Sequence, residues 1–177
     1  MTKDRKSLTG QERFFDKDDI IVSKTDLRGR ILYANRTFMK IGIFEEKTLL
    51  GQPHNILRHP DMPRCIFKLL WDQIGSGQEV FAYVLNRASN GDHYWVLAHV
   101  TPSYDGSGNI TGYHSNRRVP NRKILDETII PMYKSLCEIE NKSYNSKDAM
   151  QKSYEHLLTI LAEKGSNYDE FIFSLQS

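Results

Sequence analysis

Residues 79–119, EVFAYVLNRASNGDHYWVLAHVTPSYDGSGNITGYHSNRRV, decide the fold. Three runs rich in β-branched and aromatic residues, Glu79 to Ala88, His93 to Tyr104 and Ile110 to Val119, are separated by Ser89-Asn90-Gly91-Asp92 and Asp105-Gly106-Ser107-Gly108-Asn109. Asn-Gly and Gly-x-Gly between such runs supply the backbone freedom of tight hairpins, so the stretch predicts an antiparallel meander of three strands. In the middle run Tyr94, Val96, Ala98 and Val100 share one face, while Trp95 and Leu97 share the other with His93 and His99. A sheet open to water on one side would alternate more cleanly, so helices or a partner are expected to cover part of the second face.

Toward the N-terminus, Asp19 to Thr25 reads as a strand, Thr25-Asp26-Leu27-Arg28-Gly29-Arg30 as a turn, and Ile31 to Ala34 as a second strand. Asn35 is placed to cap a short helix carrying Phe38, Met39 and Ile41 to Ile43, and Gly51-Gln52-Pro53 ends the next one. Asp61-Met62-Pro63 opens a helix whose Ile66, Phe67, Leu69, Leu70, Trp71 and Ile74 recur at helical spacing until Gly75-Ser76-Gly77 stops it. Beyond the meander, Leu125, Ile129, Met132, Leu136 and Ile139 form a helical seam from Asn121 onward, which Pro131 is expected to kink. Asn141 to Ser146 reads as a polar linker, Ala149 to Lys164 as an amphipathic helix closed by Gly165, and Asn167 to Leu175 as a short last helix. These apolar stripes fit either packing within the chain or a docking seam. The expected organisation is a polar segment over 1–18, an α+β domain over 19–119, a connecting amphipathic helix over 120–140 and a helical segment over 146–177.

Composition narrows the function. A chain of 177 residues with 39% hydrophobic and 26% charged residues folds around one core with helical appendages. Twenty-four Lys and Arg against 22 Asp and Glu give a charge of +2, too balanced for a nucleic-acid or anionic-membrane binder. The longest apolar runs, Ile20-Ile21-Val22 and Ile129-Ile130, fall far short of the roughly 20 residues that span a bilayer, and Met1-Thr2-Lys3-Asp4-Arg5-Lys6 leads into no secretory apolar stretch, so the cytoplasm is expected. Cys65 and Cys137 lack metal or disulfide spacing, and Cys65 reads as a small buried hydrophobe. No phosphate-cradling glycine loop, nucleophile elbow or kinase motif set is present, so no enzyme is expected.

Two strands, several short helices and three strands follow one another in the order of the PAS fold, an α+β architecture with a five-stranded antiparallel sheet and short helices over one face. Tyr33-Ala34-Asn35-Arg36-Thr37-Phe38, Gly51-Gln52-Pro53-His54-Asn55, Leu57-Arg58-His59-Pro60-Asp61-Met62-Pro63, Trp71, Asn86-Arg87 and Asn90-Gly91-Asp92-His93-Tyr94-Trp95-Val96 resemble the PAS domain of aerotaxis and energy-taxis receptors of the Aer type, over roughly residues 20 to 135. The resemblance implies non-covalent FAD binding, with Asn35, Arg58, His59, Asp61, Trp71 and Asn86 touching or shaping the pocket. His54 joins them, although a loop histidine there equally satisfies a turn. The guanidinium fork of Arg58 suits a pyrophosphate, and His59 adds a donor. Trp71 can stack on a planar ring, and Asn35 and Asn86 can pair with ring edges. Asp61 is expected to cap the following helix and orient Arg58. On their own, Trp71 on its apolar stripe reads as core, and Arg58 and His59 in a loop read as solvated; the helix start that follows them favours an anion.

The family's redox-steered swimming implies a sensor that reports flavin state. Aer-type receptors continue into a membrane anchor, a HAMP module and a methyl-accepting domain, whereas this chain ends at Ser177, as in bipartite energy-taxis systems. The expected partner is a separate membrane-bound methyl-accepting transducer, which would bring the protein to the inner membrane without insertion. The C-terminal helices and the outer sheet face are the expected docking or homodimer surfaces. The other readings are a ligand-free PAS interaction module, or a haem oxygen sensor using His54, His59 or His114. The reactive-cysteine loop of a LOV photoreceptor is not matched by Cys65. Phe81 stands one residue later than the aromatic expected in the pocket wall.

Overall fold

The computed structural model describes residues 8–142 and 145–176. Residues 1–7 of the expected N-terminal segment, residues 143–144 of the expected linker and Ser177 lie outside the described residues. Two compact units divide the chain, one made of the residues up to Pro60 with Gln73–Val119, the other of Asp61–Asp72 with Pro120 onward.

The first unit is a five-stranded antiparallel sheet of order β2-β1-β5-β4-β3, formed by β1 (Ile21–Asp26), β2 (Ile31–Ala34), β3 (Val80–Arg87), β4 (His93–Tyr104) and β5 (Ile110–Arg118). Gly91, at φ 93°, takes the left-handed conformation that the β3–β4 hairpin needs and that a side chain disfavours. Gly112 sits where β5 crosses β1, and a Cβ there would meet the Thr25 carbonyl oxygen at 2.2 Å, so only glycine permits this strand approach. Register places Ile21 opposite Arg117 and Arg117 opposite Ala98, and Ser23 opposite Ser115 and Ser115 opposite Val100. One face therefore carries Ile21, Ser23, Val80, Ala82, Val84, Asn86, Tyr94, Val96, Ala98, Val100, Ser115 and Arg117, all buried. On the other face Tyr83, Leu85 and Trp95 are also buried, in line with the expectation that this face is covered. Phe81 lies there too, stacked on His99 with ring centroids 4.1 Å apart, and Val80 takes the inner position.

Between β2 and β3 the first unit carries α1 (Arg36–Gly42), α2 (Glu46–Leu49) and a 3-10 turn over His54–Leu57. Backbone bonds from Gly51 and to Gln52 cover the outer edge of β2 at Ile31, and a bridge between Arg58 and Asn86 covers the edge of β3. Both exposed edges are thereby blunted. The described part of the polar N-terminal segment is tied to this unit. Thr9, Gln11 and Arg13 bond the backbone of Gly91 and His93. The Arg13 side chain pairs with Asp92 at 3.4 Å and donates from Nε to the Ile41 carbonyl at 2.9 Å, at the C-terminal end of α1.

The second unit contains the first nine residues of α3 (Arg64–Gly75), then α4 (Arg122–Ile124), a π segment over Leu125–Ile129, α5 (Ile130–Asn141), α6 (Ser146–Glu163) and α7 (Tyr168–Ser174). A proline in a regular helix removes one hydrogen bond and collides with the carbonyl four residues earlier. The widened π turn directly before Pro131 relieves that collision. The expected linker is shorter than its composition suggests, because Asn141 still belongs to α5, Asn145 caps α6 and Ser146 is already helical. Asn167 and Glu170 form a capping box that starts α7.

Glu140 on α5 organises this unit. It is buried, accepts from Arg64 Nε at 3.0 Å and takes the Cys65 backbone N–H at 3.0 Å, so one carboxylate serves both a guanidinium and an unpaired helix-start donor. Arg64 also donates to Ser146 Oγ, and Ser153 of α6 donates to the Leu136 carbonyl at 3.2 Å. Cys65 and Cys137 are both buried and form no disulfide, and burial pushes the Cys65 thiol up to about 12, as expected of an unreactive core thiol. Replacing Glu140 by alanine leaves the Cys65 N–H without its acceptor and takes the carboxylate from a partly exposed Arg64, and is expected to cost about 2 kcal/mol. Urea denaturation measures it; a loss below about 1 kcal/mol would show that the carboxylate is not the organising contact.

Candidate ligand-binding face of the sheet

A charged residue stands at the centre of the buried face. Arg117 is 4% exposed, and Nη2 donates to Ser23 Oγ at 2.9 Å and to His54 Nε2 at 2.7 Å. The Phe38 ring from α1 packs against the guanidinium, 5.5 Å from Cζ to centroid, and meets the His54 ring edge-on at 6.4 Å. No carboxylate pairs with Arg117 among the described residues, and Nη1 is buried without a hydrogen-bond partner. Burial lowers Arg117 to about 10.

His54 explains how the cation is held. Burial first, and the Arg117 charge second, drive its imidazole down to about 3. A neutral ring can accept at Nε2 only with its proton on Nδ1, so the Arg117 contact fixes both its charge and its tautomer. Tyr94, on the same face, is raised to about 12 by burial and stays a neutral phenol.

Two further buried donors point to an incomplete set of contacts. Asn86 is 3% exposed with Nδ2 unpaired, and Ser115 is 6% exposed with Oγ unpaired. Each unpaired buried polar group costs roughly 1–3 kcal/mol, and a buried charge without a counter-charge costs more. One face of one sheet thus offers an amide, a hydroxyl and a guanidinium N–H with no acceptor opposite them. Arg117 and Ser115 are neighbours on β5, whereas Asn86 stands on β3 four residues from Ala82, which is in register with Arg117 through Ala98, so the donors are spread along the face rather than gathered at one point. An extended ligand carrying carbonyl and ring-nitrogen acceptors, such as a flavin nucleotide, suits donors so spread.

The other expected site residues are placed as follows. Asn35 caps α1 by accepting from Phe38 N at 3.0 Å, while also accepting from Val22 N at 3.1 Å and donating to the Ile20 carbonyl at 2.7 Å. Its amide thereby fastens β1 to α1 and seats Phe38. Arg58 is half-buried beside Asn86, through their backbone bridge. His59 is buried and meets the His93 ring edge at 5.7 Å, so neither behaves as a solvated loop residue. Asp61 and Trp71 belong to the second unit. Asp61 is exposed and its carbonyl accepts from Cys137 Sγ at 3.1 Å. Trp71 is 41% exposed, so it is not core. Arg117 and Ser115 went unselected in the sequence, where nothing local tells which of Arg117 and Arg118 turns inward.

A family model described as the PAS fold matches residues 16–115. The chain belongs to the PAS family. Over 132 residues this PAS chain is 39% identical to the aerotaxis receptor of Escherichia coli (strain K12), covering 73% of this chain and 25% of that receptor. It is 27% identical over 103 residues to the nitrogen fixation regulatory protein of Klebsiella pneumoniae, covering 58% of this chain and 21% of that protein. The chain therefore spans about a quarter or less of these curated relatives. Among solved structures, the light state of the blue-light photoreceptor Aureochrome1 LOV aligns with a TM-score of 0.54 at 22% identity, covering 64% of this chain and 89% of that one. The last match shows likeness of fold.

The His54 arrangement has a pH consequence. Its folded value near 3 lies below the ordinary 6.5, so between those pH values the unfolded chain binds the extra proton and stability falls as pH drops. Urea midpoints measured from pH 7 to pH 4 are expected to decline in the wild type and to decline less in His54→Gln, which retains an acceptor but cannot titrate. Equal slopes would contradict the enclosed neutral imidazole.

Proposed function

We propose that this PAS chain is a redox sensor that holds FAD without a covalent bond and passes the flavin's state to a separate chemotaxis-type transducer. The supporting observation is the set of buried, unpaired donors at Asn86, Ser115 and Arg117 on one sheet face. Asn86 would pair with a polar edge of the ligand, Asn35 and Phe38 would shape the pocket wall, and Arg58 with His59 would take the pyrophosphate. Bound there, FAD supplies reversible electron transfer with a charge and proton count that differ between its two forms.

The chain's own part is to bind, orient and respond. Asn86 is fixed at the β3 edge by the Arg58 bridge, so a change in the strength of its hydrogen bond is felt by the loop carrying Arg58 and His59. Two conformers that hold the two flavin forms unequally need differ by only ~1–3 kcal/mol to shift the population. The role is signalling rather than catalysis. The similarity to an aerotaxis receptor supports a link to swimming behaviour. The transducer would be a membrane-bound methyl-accepting protein that holds this chain near the inner membrane from the cytoplasm. No described helix is long and apolar enough to cross a membrane. Leu158 on α6 and Phe173 on α7, 46% and 51% exposed, are offered as docking points for that transducer or for a second copy.

Absorption of the protein purified from flavin-replete cells tests the reading. Two flavin bands, with FAD released on heating, are expected. A colourless protein would favour the ligand-free interaction module, and a Soret band the haem sensor. Arg58→Ala is expected to weaken FAD retention roughly ten- to hundredfold, the worth of one or two charge-assisted bonds; full occupancy in that variant would misplace the pyrophosphate.

A further inference from the structure

We propose that Arg117 sets the redox poise of the bound ring, because its uncompensated charge holds the ring's acceptor edge more tightly when the ring is anionic than when it is neutral. This rests on the flavin reading above and adds a residue and a direction to it.

The geometry carries the assignment. Arg117 is central in the sheet, between Ile21 of β1 and Ala98 of β4, and both neighbours leave its head group unpaired with any charge. Nη2 is committed to Ser23 and His54, and Phe38 packs against the guanidinium plane. With a rigid planar fork so fixed, Nη1 is held buried without a hydrogen-bond partner. His54 is the positioning residue. It accepts without bringing a counter-charge, so the guanidinium is oriented while its charge stays unneutralised. Ser115, two residues earlier on the same face, adds a neutral donor beside it. In a water-poor site a fixed cation favours whichever bound form carries negative charge.

The charge balance gives a direct readout. A flavin ring that takes up two electrons and two protons ends neutral, whereas two electrons and one proton leave it with one negative charge. Arg117 favours the second outcome and raises the midpoint potential. The other titratable groups it meets are His54 on the 3-10 turn and Tyr94 on β4, and its charge also reaches His114 on the opposite sheet face. His54 stays neutral and Tyr94 protonated from pH 6 to pH 9. His114 is held below its ordinary range by burial, then by Lys24, His99 and Arg117.

The test uses the full chain with FAD, titrated with dithionite against reference dyes from pH 6 to pH 9. The wild type is expected to take one proton per two electrons. Arg117→Gln is expected to lose about tenfold to hundredfold of its preference for the reduced ring, a potential lower by about 30 to 60 mV, and to take nearer two protons at pH 6. Arg117→Lys, which keeps the charge, should retain most of the wild-type potential, and His54→Gln, which keeps an acceptor, should do the same. A loaded Arg117→Gln with unchanged potential and proton count would overturn the role of Arg117 and leave the flavin reading standing. Wild-type protein that neither carries nor takes up FAD would overturn both. Should Arg117→Gln fail to fold by circular dichroism, the wild type decides: two protons per two electrons at pH 6 would overturn the proposal.

Discussion

A guanidinium buried against neutral acceptors is the constraint around which the sheet unit is arranged. Arg117 sits at the middle strand position of the buried face, so its charge cannot reach water, and Ser23, His54 and Phe38 each supply a contact that solvates it without neutralising it. His54 must then be neutral, with a fixed tautomer. Phe38 must be seated by α1, which Asn35 caps and whose C-terminal end Arg13 closes. Segments far apart in the chain, from Arg13 to Arg117, converge on the support of one charge. A buried unsatisfied group calls for an explanation, and here the remaining donor shares its sheet face with the unpaired Ser115 hydroxyl and Asn86 amide.

The strands were largely legible because their signals are local. Asn90-Gly91 and Gly106-Ser107-Gly108 force turns whatever surrounds them, and the three runs between them fall within a residue or two of the observed β3, β4 and β5. Ile31–Ala34 is found as expected, and Asn35 caps the helix it was expected to cap. The resemblance to aerotaxis receptors agrees with the family match and with the five-stranded order of the sheet. What was not legible depends on register and on tertiary contact. Which of two adjacent arginines turns inward is fixed by the pairing of Ile21 with Arg117, a relation between residues 96 positions apart by their numbering (117 minus 21). The polar stretch around Thr9 and Arg13 gives no periodic signal, yet it docks through backbone bonds to β4. Pro131 predicted a disturbance in the helix but not that a π turn would absorb it.

The helical unit follows a similar rule with the opposite charge. Glu140 is as buried as Arg117, but it is fully paired, by Arg64 and by the first turn of α3. A satisfied buried charge organises a core; an unsatisfied one calls for an explanation, of which a missing ligand is one. That contrast is why the donor set on the sheet face, rather than the polar contacts of the helices, is the stronger pointer to a ligand.

The most direct test is a crystal structure of the chain with FAD bound. The account predicts an acceptor atom of the isoalloxazine within hydrogen-bond distance of Arg117 Nη1, with His54 still accepting from Arg117. A ring bound elsewhere, with Arg117 Nη1 facing water or remaining unpaired, would contradict it.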